Sequence, residues 1–578
     1  MNTNSKSGVM KRAAIFMALI LSAGMLWAGG GQSKKAPAGT GNALNDPNID
    51  LSGKLPIIKD PSKFPKLVMA YVNSPDRVVP VKDLILAQEL KKATGVEFEW
   101  LEIPQDGSSE KINLMLASGQ NLPDAFWNGI DSGMVAQYMN QDILRPTEDL
   151  VEKYMSRLKA IYKKRPEYKA GATAPNGHSY GFPYIEEMHG LVLTPGPFVI
   201  NKEWLKKAGK PMPKTVDEFT AVLKAFRDGG DLNGNGKADE IPYALDFTNT
   251  DVFGSYNTFH QFTGAFGMAD PYCTLNPNGS HMRVINNKIV FSAMDTAYRD
   301  TAKYFNMLRN ERLVDMDSFS PGPSPGNPLF KSKLTGSDAV IGVFGLWSRD
   351  DEIPDWNVRD QYQSIPRLQG IKGKTGFALN ATEMHNPSRV AVTMDCKYPE
   401  VIAAFVDYCF EPEVSVTLNW GAIGYLYTRG SDGKLLNRLD AKGNFILTPP
   451  YKTANDERTN TTPTGGALAV LNEYYDTVAE YPFNALMLLN DQIANGKNEF
   501  LAEYPPIPNM ILTTDEQNTI SRLQPTISDI VRRYTVQWVL DGNIDATWNN
   551  YLNELKAAGV DDLVRAMQGA YDRFLKAK

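Results

Sequence analysis

The sequence predicts an α/β fold, because short apolar runs alternate with amphipathic helical stretches between residues 66 and 127. The runs have the length of buried strands, and the stretches between them repeat apolar residues at helical spacing. Strands that are separated by helices pair in parallel, so the pattern predicts a parallel sheet with helices on its faces. The predicted order is strand Lys66–Val72, helix Val79–Thr94, strand Val96–Leu101, helix Gly107–Gly119 and strand Pro123–Trp127.

The loops after these strands are the first candidate binding region. In open α/β sheets the ligand crevice lies outside the carboxyl ends of the strands. Asn73 to Asp76 follow the first strand, and Trp127 to Asp131 follow the third. The spacing therefore predicts that these two loops lie together at one edge of the sheet.

The rest of the chain continues the α/β pattern and becomes mostly helical in its last third. Thr215 followed by Glu218 predicts a capping box at a helix start, where two side chains satisfy two backbone N–H groups. Further predicted elements are strand Leu191–Asn201 and helices Lys202–Ala208, Thr215–Arg227, Asp295–Arg312 and Pro399–Phe410.

The composition is that of a soluble globular protein. The 578 residues are too many for one hydrophobic core, and 42% are apolar and 22% charged. The formal net charge of −6 lacks the Lys and Arg excess that nucleic-acid binding requires, so no nucleic acid partner is expected. The three cysteines are too few for a disulfide framework. Cys273, Cys396 and Cys409 are therefore buried thiols, or Cys396 and Cys409 form a single bridge.

Residues 1–28 have the pattern of an export signal peptide. Three basic residues precede the apolar run Ala13–Trp27, and small residues follow it. Fifteen residues are short for a permanent membrane span, although a retained anchor is the alternative. The end of the run resembles a bacterial lipoprotein signal, but Gly29 stands where the lipidated Cys belongs. We expect a secreted periplasmic or cell-surface protein without a lipid, in which residues 29–50 form a flexible linker.

The run DLNGNGKADE at residues 231–240 predicts a calcium site. Oxygen-bearing side chains at loop positions 1, 3 and 5 and a glycine at position 6 match the start of an EF-hand loop. Position 12, normally a bidentate Glu, is Pro242, so acids at positions 9 and 10 must complete the shell. An ordinary turn-rich surface loop is the alternative. The predicted Ca²⁺ ligands are Asp231, Asn233, Asn235, the Lys237 carbonyl, Asp239 and Glu240.

Patterns typical of enzymes are weak. Residues 322–326 match G-x-S-x-G, but the prolines on both sides of Ser324 disfavour the strand–turn–helix context of a nucleophile. The five histidines have no zinc spacing, and the chain has no P-loop or dinucleotide fingerprint. Glu186 and Glu187 are neighbours, and on a strand they would point to opposite faces. A secreted polysaccharide-active enzyme is kept as an alternative function.

Two tryptophans occupy positions suited to stacking on sugars. Trp127 ends a predicted strand, and Trp347 follows the apolar run 339–344. A sugar ring presents C–H groups that pack against an aromatic face, so rings at the edge of a cleft indicate a carbohydrate ligand. Core packing is the alternative for each ring.

The order of several short motifs resembles that of bacterial extracellular solute-binding proteins of the carbohydrate-uptake type. The resemblance extends from about residue 66 to residue 578, and the loop at Asp231 resembles the calcium loop of the large alginate-oligosaccharide-binding subgroup. In that subgroup the metal is structural and lies away from the ligand. The motifs are LPD at 122–124, YGFP at 180–183, NKEWL at 201–205 leading to PKT at 213–215, the helix Tyr398–Phe410 and GAYDR at 569–573.

The resemblance implies a type II periplasmic-binding-protein fold, in which a hinge joins two α/β lobes that enclose the ligand. It assigns 51–183 and 378–440 to the N-terminal lobe, and 184–377 and 441–578 to the C-terminal lobe. The ligand contacts that it implies are Asn73, Asp76, Trp127, Asp131, Glu187, Trp347 and, near the hinge, Trp420.

These features together indicate a monomeric, non-catalytic binding protein. It is expected to capture an oligosaccharide or another polar ligand and to deliver it to the permease subunits of an ABC transporter. A protein that presents a bound sugar to a sensory receptor is compatible with the same fold and is a further alternative.

Overall fold

Two sheets organise the protein, whose computed structural model describes residues 46–188, 198–245, 259–271, 277–319, 339–345, 353, 356–375, 383–482 and 507–578. The strands in these ranges are β1 Leu67–Asn73, β2 Phe98–Pro104, β3 Ala125–Phe126, β4 Phe182–Glu186, β5 Phe198–Asn201, β6 Ile241–Tyr243, β7 Met282–Ile285, β8 Lys288–Phe291, β9 Ile341–Gly345, β10 Tyr362–Ser364, β11 Met384–Val392, β12 Tyr427–Arg429, β13 Leu435–Asn437 and β14 Leu468–Val470.

Helices cover the sheets and form the end of the chain. They are α1 Ile85–Thr94, α2 Ser108–Ser118, α3 Ser132–Tyr138, α4 Glu148–Tyr154, α5 Ser156–Lys164, α6 Pro166–Ala172, α7 Lys202–Lys207, α8 Val216–Asp228, α9 Phe259–Phe262, α10 Thr296–Asn310, α11 Trp356–Arg359, α12 Pro399–Cys409, α13 Pro412–Trp420, α14 Ala454–Thr461, α15 Asn472–Thr477, α16 Thr514–Asp541, α17 Ile544–Ala557 and α18 Val560–Ala577.

The larger sheet has six strands in the order β14–β4–β11–β3–β1–β2. Strands β1, β2 and β3 pair in parallel, as do β4 and β14, whereas β11 runs antiparallel to both of its neighbours. Alternate side chains enter two different cores, since Met69 and Tyr71 join one and Ala70 joins the other. The parallel pairing predicted for the first three strands, with both faces of the sheet covered, is therefore confirmed, within a sheet that is mixed as a whole.

The smaller sheet has four strands in the order β10–β5–β9–β6. Its two faces also belong to separate cores, because Val199 and Phe344 lie in one cluster and Ile200 and Val343 in another. The second of these clusters includes side chains of α8, α10 and the three C-terminal helices α16, α17 and α18.

Several helix ends follow from local sequence signals. Helix α1 ends at Gly95, which adopts φ +71° and whose added Cβ would lie 2.0 Å from the carbonyl oxygen of Ile58. Only glycine fits such a position. The capping box of Thr215 and Glu218 at the start of α8 is present, which confirms the prediction.

The larger sheet includes residues beyond its first three strands. Strand β4 extends it to Glu186. Strand β14 pairs with β4, with Leu468 opposite Tyr184, so residues 468–470 also belong to this sheet. The lobe boundaries given above stay a prediction. A three-residue strand has too short a hydrophobic pattern to be recognised in the sequence.

The structure also bears on the possible cysteine bridge and on membrane-spanning helices. Cys396 and Cys409 are both buried free thiols, so the alternative of a bridge between them is contradicted. Cys273 lies outside the described residues, as does the Ser324 motif. Over the described ranges, none of the helices has the length and apolar character needed to cross a bilayer.

Candidate functional site

Hydrogen bonds from one side chain to the backbone join the two segments that were predicted to meet at the sheet edge. Asn128 follows β3, and its Oδ1 accepts from the Val72 N–H at 2.6 Å while its Nδ2 donates to the Val72 carbonyl at 3.1 Å. This pairing fixes the loop after β3 beside the end of β1. The carboxyl ends of β1 and β3 therefore form one surface.

Asn73 and Asp76 lie at the end of β1 with different environments. The Asn73 Nδ2 donates to Glu102 at 2.6 Å, and its Oδ1 is buried with no hydrogen-bond partner among the described residues. The Asp76 side chain is exposed, and its carbonyl accepts from Asn460 Nδ2 at 3.2 Å. The Asp76 carboxylate is therefore open to a ligand hydroxyl, whereas the Asn73 Oδ1 is enclosed.

Trp127 does not lie on the surface of the site, so its predicted stacking role is contradicted. The side chain is 0% exposed, and its Nε1 donates to the Pro463 carbonyl at 3.0 Å. The ring lies beside Trp100 and Phe405 in the core. It borders a cavity of about 470 Å³ that is lined chiefly by α1 and β2, at the outer edge of the larger sheet. No face of this ring is open to a sugar.

Asp131 and Glu187 have structural partners. The Asp131 side chain is exposed and caps α3, since it accepts from the Met134 N–H at 2.8 Å. Glu187 is 3% exposed and forms a bidentate ion pair with Arg165 at 2.7 and 3.1 Å. It also accepts from Tyr168 at 2.8 Å. The predicted role of Glu187 in ligand binding is contradicted, because its carboxylate is enclosed and already satisfied.

Trp420 ends α13 and is half-buried at the carboxyl end of β4. Its Nε1 donates to both Glu186 Oε2 at 3.1 Å and the Tyr475 hydroxyl at 2.8 Å. The Arg458 guanidinium lies 5.4 Å from the centre of its ring. Trp420 is thus held at a fixed angle while part of its surface stays accessible. Trp347 lies outside the described residues.

Glu186 is fully buried, and burial raises the pKa of its carboxyl to about 8. Besides Trp420, it receives hydrogen bonds from the Tyr475 hydroxyl at 3.0 Å and from the Asn419 amide. Glu186 and Glu187 do point in opposite directions, as adjacent residues of a strand should. Below its raised pKa, Glu186 contributes an uncharged acid group to the floor of the site.

The residues around Trp420 were missed by sequence reasoning. The Tyr184 hydroxyl donates to Asn419 Oδ1 at 2.9 Å, and the ring of His385 lies 5.0 Å from that of Tyr184. One signal was present in the sequence. Helix α14 (ANDERTNT) carries only polar residues apart from Ala454, yet Glu457, Thr459, Asn460 and Thr461 are buried. The all-polar pattern shows that this helix has no apolar face for a core, and its burial in the structure means that it packs through polar groups.

Several predicted side chains of the calcium loop bond to one another or to the loop backbone. The Asp231 carboxylate accepts from the N–H groups of Gly234 at 2.7 Å and Gly236 at 2.9 Å. The Asn233 and Asn235 amides lie 3.3 and 3.1 Å from Asp239 Oδ1. Rotating either amide by 180° exchanges its nitrogen for its oxygen, so both can present oxygens to a cation.

The other predicted ligands lie in the same loop. Glu240 accepts from the Asn233 N–H at 3.0 Å and also from the Leu232 N–H, which places its carboxylate against the start of the loop. The Lys237 N–H donates to Asn235 Oδ1 at 2.8 Å. The loop thus carries three carboxylates and two amides, the oxygen-rich set that Ca²⁺ prefers, although the three carboxylates do not all approach one another within 4.8 Å.

A second cluster of metal-type side chains is explained by hydrogen bonding. Asp270 accepts from the Nδ1 atoms of His260 at 2.7 Å and His281 at 2.8 Å, and from Ser292 Oγ. These residues are far apart in sequence, which is why histidine spacing did not reveal them. A buried carboxylate with three donors is satisfied without an ion.

Two helix-covered α/β sheets with a polar and aromatic site at the strand ends define a two-lobed binding protein of the type II periplasmic-binding-protein fold. A profile of the family described as bacterial extracellular solute-binding proteins matches residues 78–415. The chain belongs to this family.

Relatives with assigned ligands are similar over most of the chain. FusA of Streptococcus pneumoniae, a fructooligosaccharide ABC transporter substrate-binding protein, is 32% identical over 550 residues, which cover 93% of this chain and 95% of FusA. YtcQ of Bacillus subtilis, a polygalacturonan/rhamnogalacturonan-binding protein, is 21% identical over 491 residues, 81% of this chain and 84% of YtcQ.

The solved structure of FusA with kestose has a TM-score of 0.74 and 30% identity, covering 89% of this chain and 100% of that one. A FusA EF-hand mutant with fructo-nystose has a TM-score of 0.73 and 29% identity over the same share of both chains. The alginate-binding protein AlgQ2, at 20% identity and a TM-score of 0.64, covers 88% of this chain and 99% of its own and shares the fold.

Proposed function

We propose that this protein is the substrate-binding component of an ABC transporter, which captures an oligosaccharide between two lobes and delivers it to the permease subunits. The observation that carries the proposal is the similarity to FusA over 93% of the chain and 95% of FusA. The protein acts as a monomer and binds without turnover. The proposed ligand surface comprises Asn73, Asp76, Asp131 and Trp420, together with the cleft side of the second lobe, where Trp347 is proposed to stack.

The chemistry of the described surface suits a sugar. A neutral sugar binds through many hydroxyl hydrogen bonds and through stacking in a largely enclosed cleft. Trp420 offers a fixed, half-buried ring, and Asp76 offers an exposed carboxylate at the end of β1. Contacts from both lobes make closure and binding one event, because the closed state gains contacts that the open state lacks.

Thermal shift with a panel of oligosaccharides, beginning with kestose and fructo-nystose, tests the proposal, because a ligand of the native state raises the melting temperature.

For any ligand found, Trp420→Ala should weaken binding by about 10–100-fold, the value of one large buried contact. Trp100→Ala removes a half-buried tryptophan from β2 and is the matched control with unchanged affinity. Normal binding by Trp420→Ala would show that the site is misassigned, and product release from a glycan would favour the enzyme alternative.

We further propose that residues 231–240 hold a structural Ca²⁺ with an affinity of about 10⁻⁴–10⁻³ M, because only three of the side chains are anionic. At calcium tenfold above the dissociation constant, binding adds about 1.4 kcal/mol to the free energy of unfolding. Chelation should therefore lower the melting temperature of wild type, and Asp231→Ala should abolish that response.

Asp440→Ala is the control for the calcium loop. Asp440 is also exposed and also accepts from two backbone N–H groups, those of Lys442 and Asn444, in a turn without further carboxylates. This variant should keep the response to chelator. An identical melting curve for metal-loaded wild type with and without chelator would eliminate the site.

The proposed location is outside the cytoplasmic membrane, without a lipid anchor. The support is the apolar run Ala13–Trp27 after basic residues and the glycine at position 29. Protein isolated from its host should begin between residues 29 and 32 by mass spectrometry and should remain in the aqueous phase of a detergent partition. An intact first segment or a lipid-sized mass increment would contradict this.

A further inference from the structure

Three arginine side chains follow one another along the part of the candidate site that the structure describes. The Arg77 Cζ lies 5.1 Å from the centre of the Tyr71 ring, and its Nη2 donates to the Tyr71 hydroxyl at 2.8 Å. Arg389 lies 5.8 Å from the ring of Tyr184. The series is continuous, because the Tyr71 hydroxyl and the Arg389 Nε bond neighbouring carbonyls of the loop before β14.

The third arginine, Arg458, lies at the end of the site that contains Trp420. It lies 5.4 Å from the ring of Trp420, and Asn419, the neighbour of that tryptophan, is bonded to Tyr184. Tyr184 therefore lies between Arg389 and Arg458. All three arginines are half-buried.

None of the three guanidinium groups has a carboxylate within 4.0 Å among the described residues. Other arginines do, such as Arg165 with Glu187 and Arg573 with Glu516. The Nε and Nη1 atoms of Arg77 and the Nε of Arg458 are buried donors without an acceptor in the described part of the chain. A partly buried cation without a counter-ion costs free energy of folding, and buried hydrogen-bond donors normally have acceptors.

Nearby acids form no ion pair with these cations among the described residues. Burial raises the pKa of Glu186 to about 8, and burial also raises the pKa of Glu457. Glu102 is close enough to interact with Arg77 electrostatically, but its carboxylate accepts hydrogen bonds from Asn73 and from the Val81 N–H. This side of the site therefore carries three guanidinium groups without an ion-pair partner in the described ranges, although the chain as a whole has a formal charge of −6.

We propose that Arg77, Arg389 and Arg458 bind oxyanion groups on the ligand, so that the preferred oligosaccharide is acidic. This inference rests on the proposed function and narrows its ligand class. The planar fork of a guanidinium matches a carboxylate, sulfate or phosphate with two parallel hydrogen bonds. Arginines in series suit an oligomer with an anionic group on more than one sugar unit, such as an oligouronide.

Paired ligands that differ only in charge test the inference. Calorimetry on the mature chain compares trigalacturonate with galactotriose, and sulfated and phosphorylated oligosaccharides with their neutral parents, with kestose as a further neutral probe. One acidic member should bind at least tenfold tighter than its neutral partner at 50 mM salt, and this advantage should shrink at 500 mM salt. The acidic ligand that binds shows whether the recognised group is a carboxylate, a sulfate or a phosphate.

Two variants separate ligand recognition from packing. Arg458→Gln should lose at least tenfold in affinity for the acidic ligand and little for the neutral one, whereas Arg458→Lys should keep part of the preference. If Arg458 serves only to pack against Trp420, both ligands weaken equally in Arg458→Gln and the inference is overturned. Melting curves of both variants confirm folding.

The remaining outcomes are also decisive. Binding of kestose or another neutral sugar without any preference for an acidic partner overturns the inference and leaves the proposed function standing. Failure of every neutral and acidic sugar overturns both.

Discussion

Trp127→Ala is expected to lower the free energy of unfolding by about 3–5 kcal/mol, the usual cost of removing a large aromatic side chain from a core. The ring is 0% exposed and packs directly on backbone, since a Cβ added at Gly466 would lie 2.2 Å from it. Its Nε1 also satisfies the Pro463 carbonyl, which would lose its partner. Denaturant titration followed by circular dichroism measures the change.

Binding measurements separate this role from the one predicted by the sequence. Under conditions in which Trp127→Ala is folded, its affinity for an identified ligand should equal that of wild type. Trp127→Phe retains most of the apolar volume and should lose less stability than the alanine variant. A Trp127→Ala protein of normal stability and weakened binding would restore the stacking role.

The contrast between Trp127 and Trp420 shows where sequence reasoning succeeds and where it ends. The pattern located β3 and the loop after it, because both depend on local apolar runs and turn residues. Alternation along β3 could also have indicated the face, since Ala125 and Trp127 enter one core and Phe126 the other. What the sequence cannot show is that Pro463 and Gly466 close over the Trp127 ring.

The same limit applies to the hinge side of the site. Helix α8 with its capping box and the end of α1 at Thr94 depend on neighbours in sequence, and both were predicted. Strand β14 and the arginine series depend on contacts between segments that lie tens to hundreds of residues apart. Arg389 and Gly465, for example, are 76 positions apart. Such pairings follow from the tertiary fold and leave no periodic signal.

Arg165→Ala is expected to cost about 3–5 kcal/mol of unfolding free energy, because it leaves the carboxylate of Glu187 buried without its cation. The Glu187 side chain is 4% exposed, whereas that of Arg165 is 22% exposed and also reaches Glu473 at 3.3 Å. Tyr168 and the Asn472 N–H remain as donors to Glu187 at 2.8 Å each, yet neither supplies a positive charge. The loss should appear as a lower midpoint in denaturant titration.

The chain contains a matched pair for this experiment. Arg429 also makes a bidentate contact, with Glu413 through Nη1 and Nη2 at 2.8 Å each, but the two side chains are 47% and 40% exposed. Water screens an exposed pair, so Arg429→Ala should cost less than about 1 kcal/mol. Since both pairs are bidentate and differ strongly in burial, the difference between the variants measures chiefly the cost of leaving a buried charge without its partner. Equal losses in both variants would mean that Glu187 becomes solvated or protonated when Arg165 is removed, and the enclosed carboxylate described for Glu187 would then be incorrect.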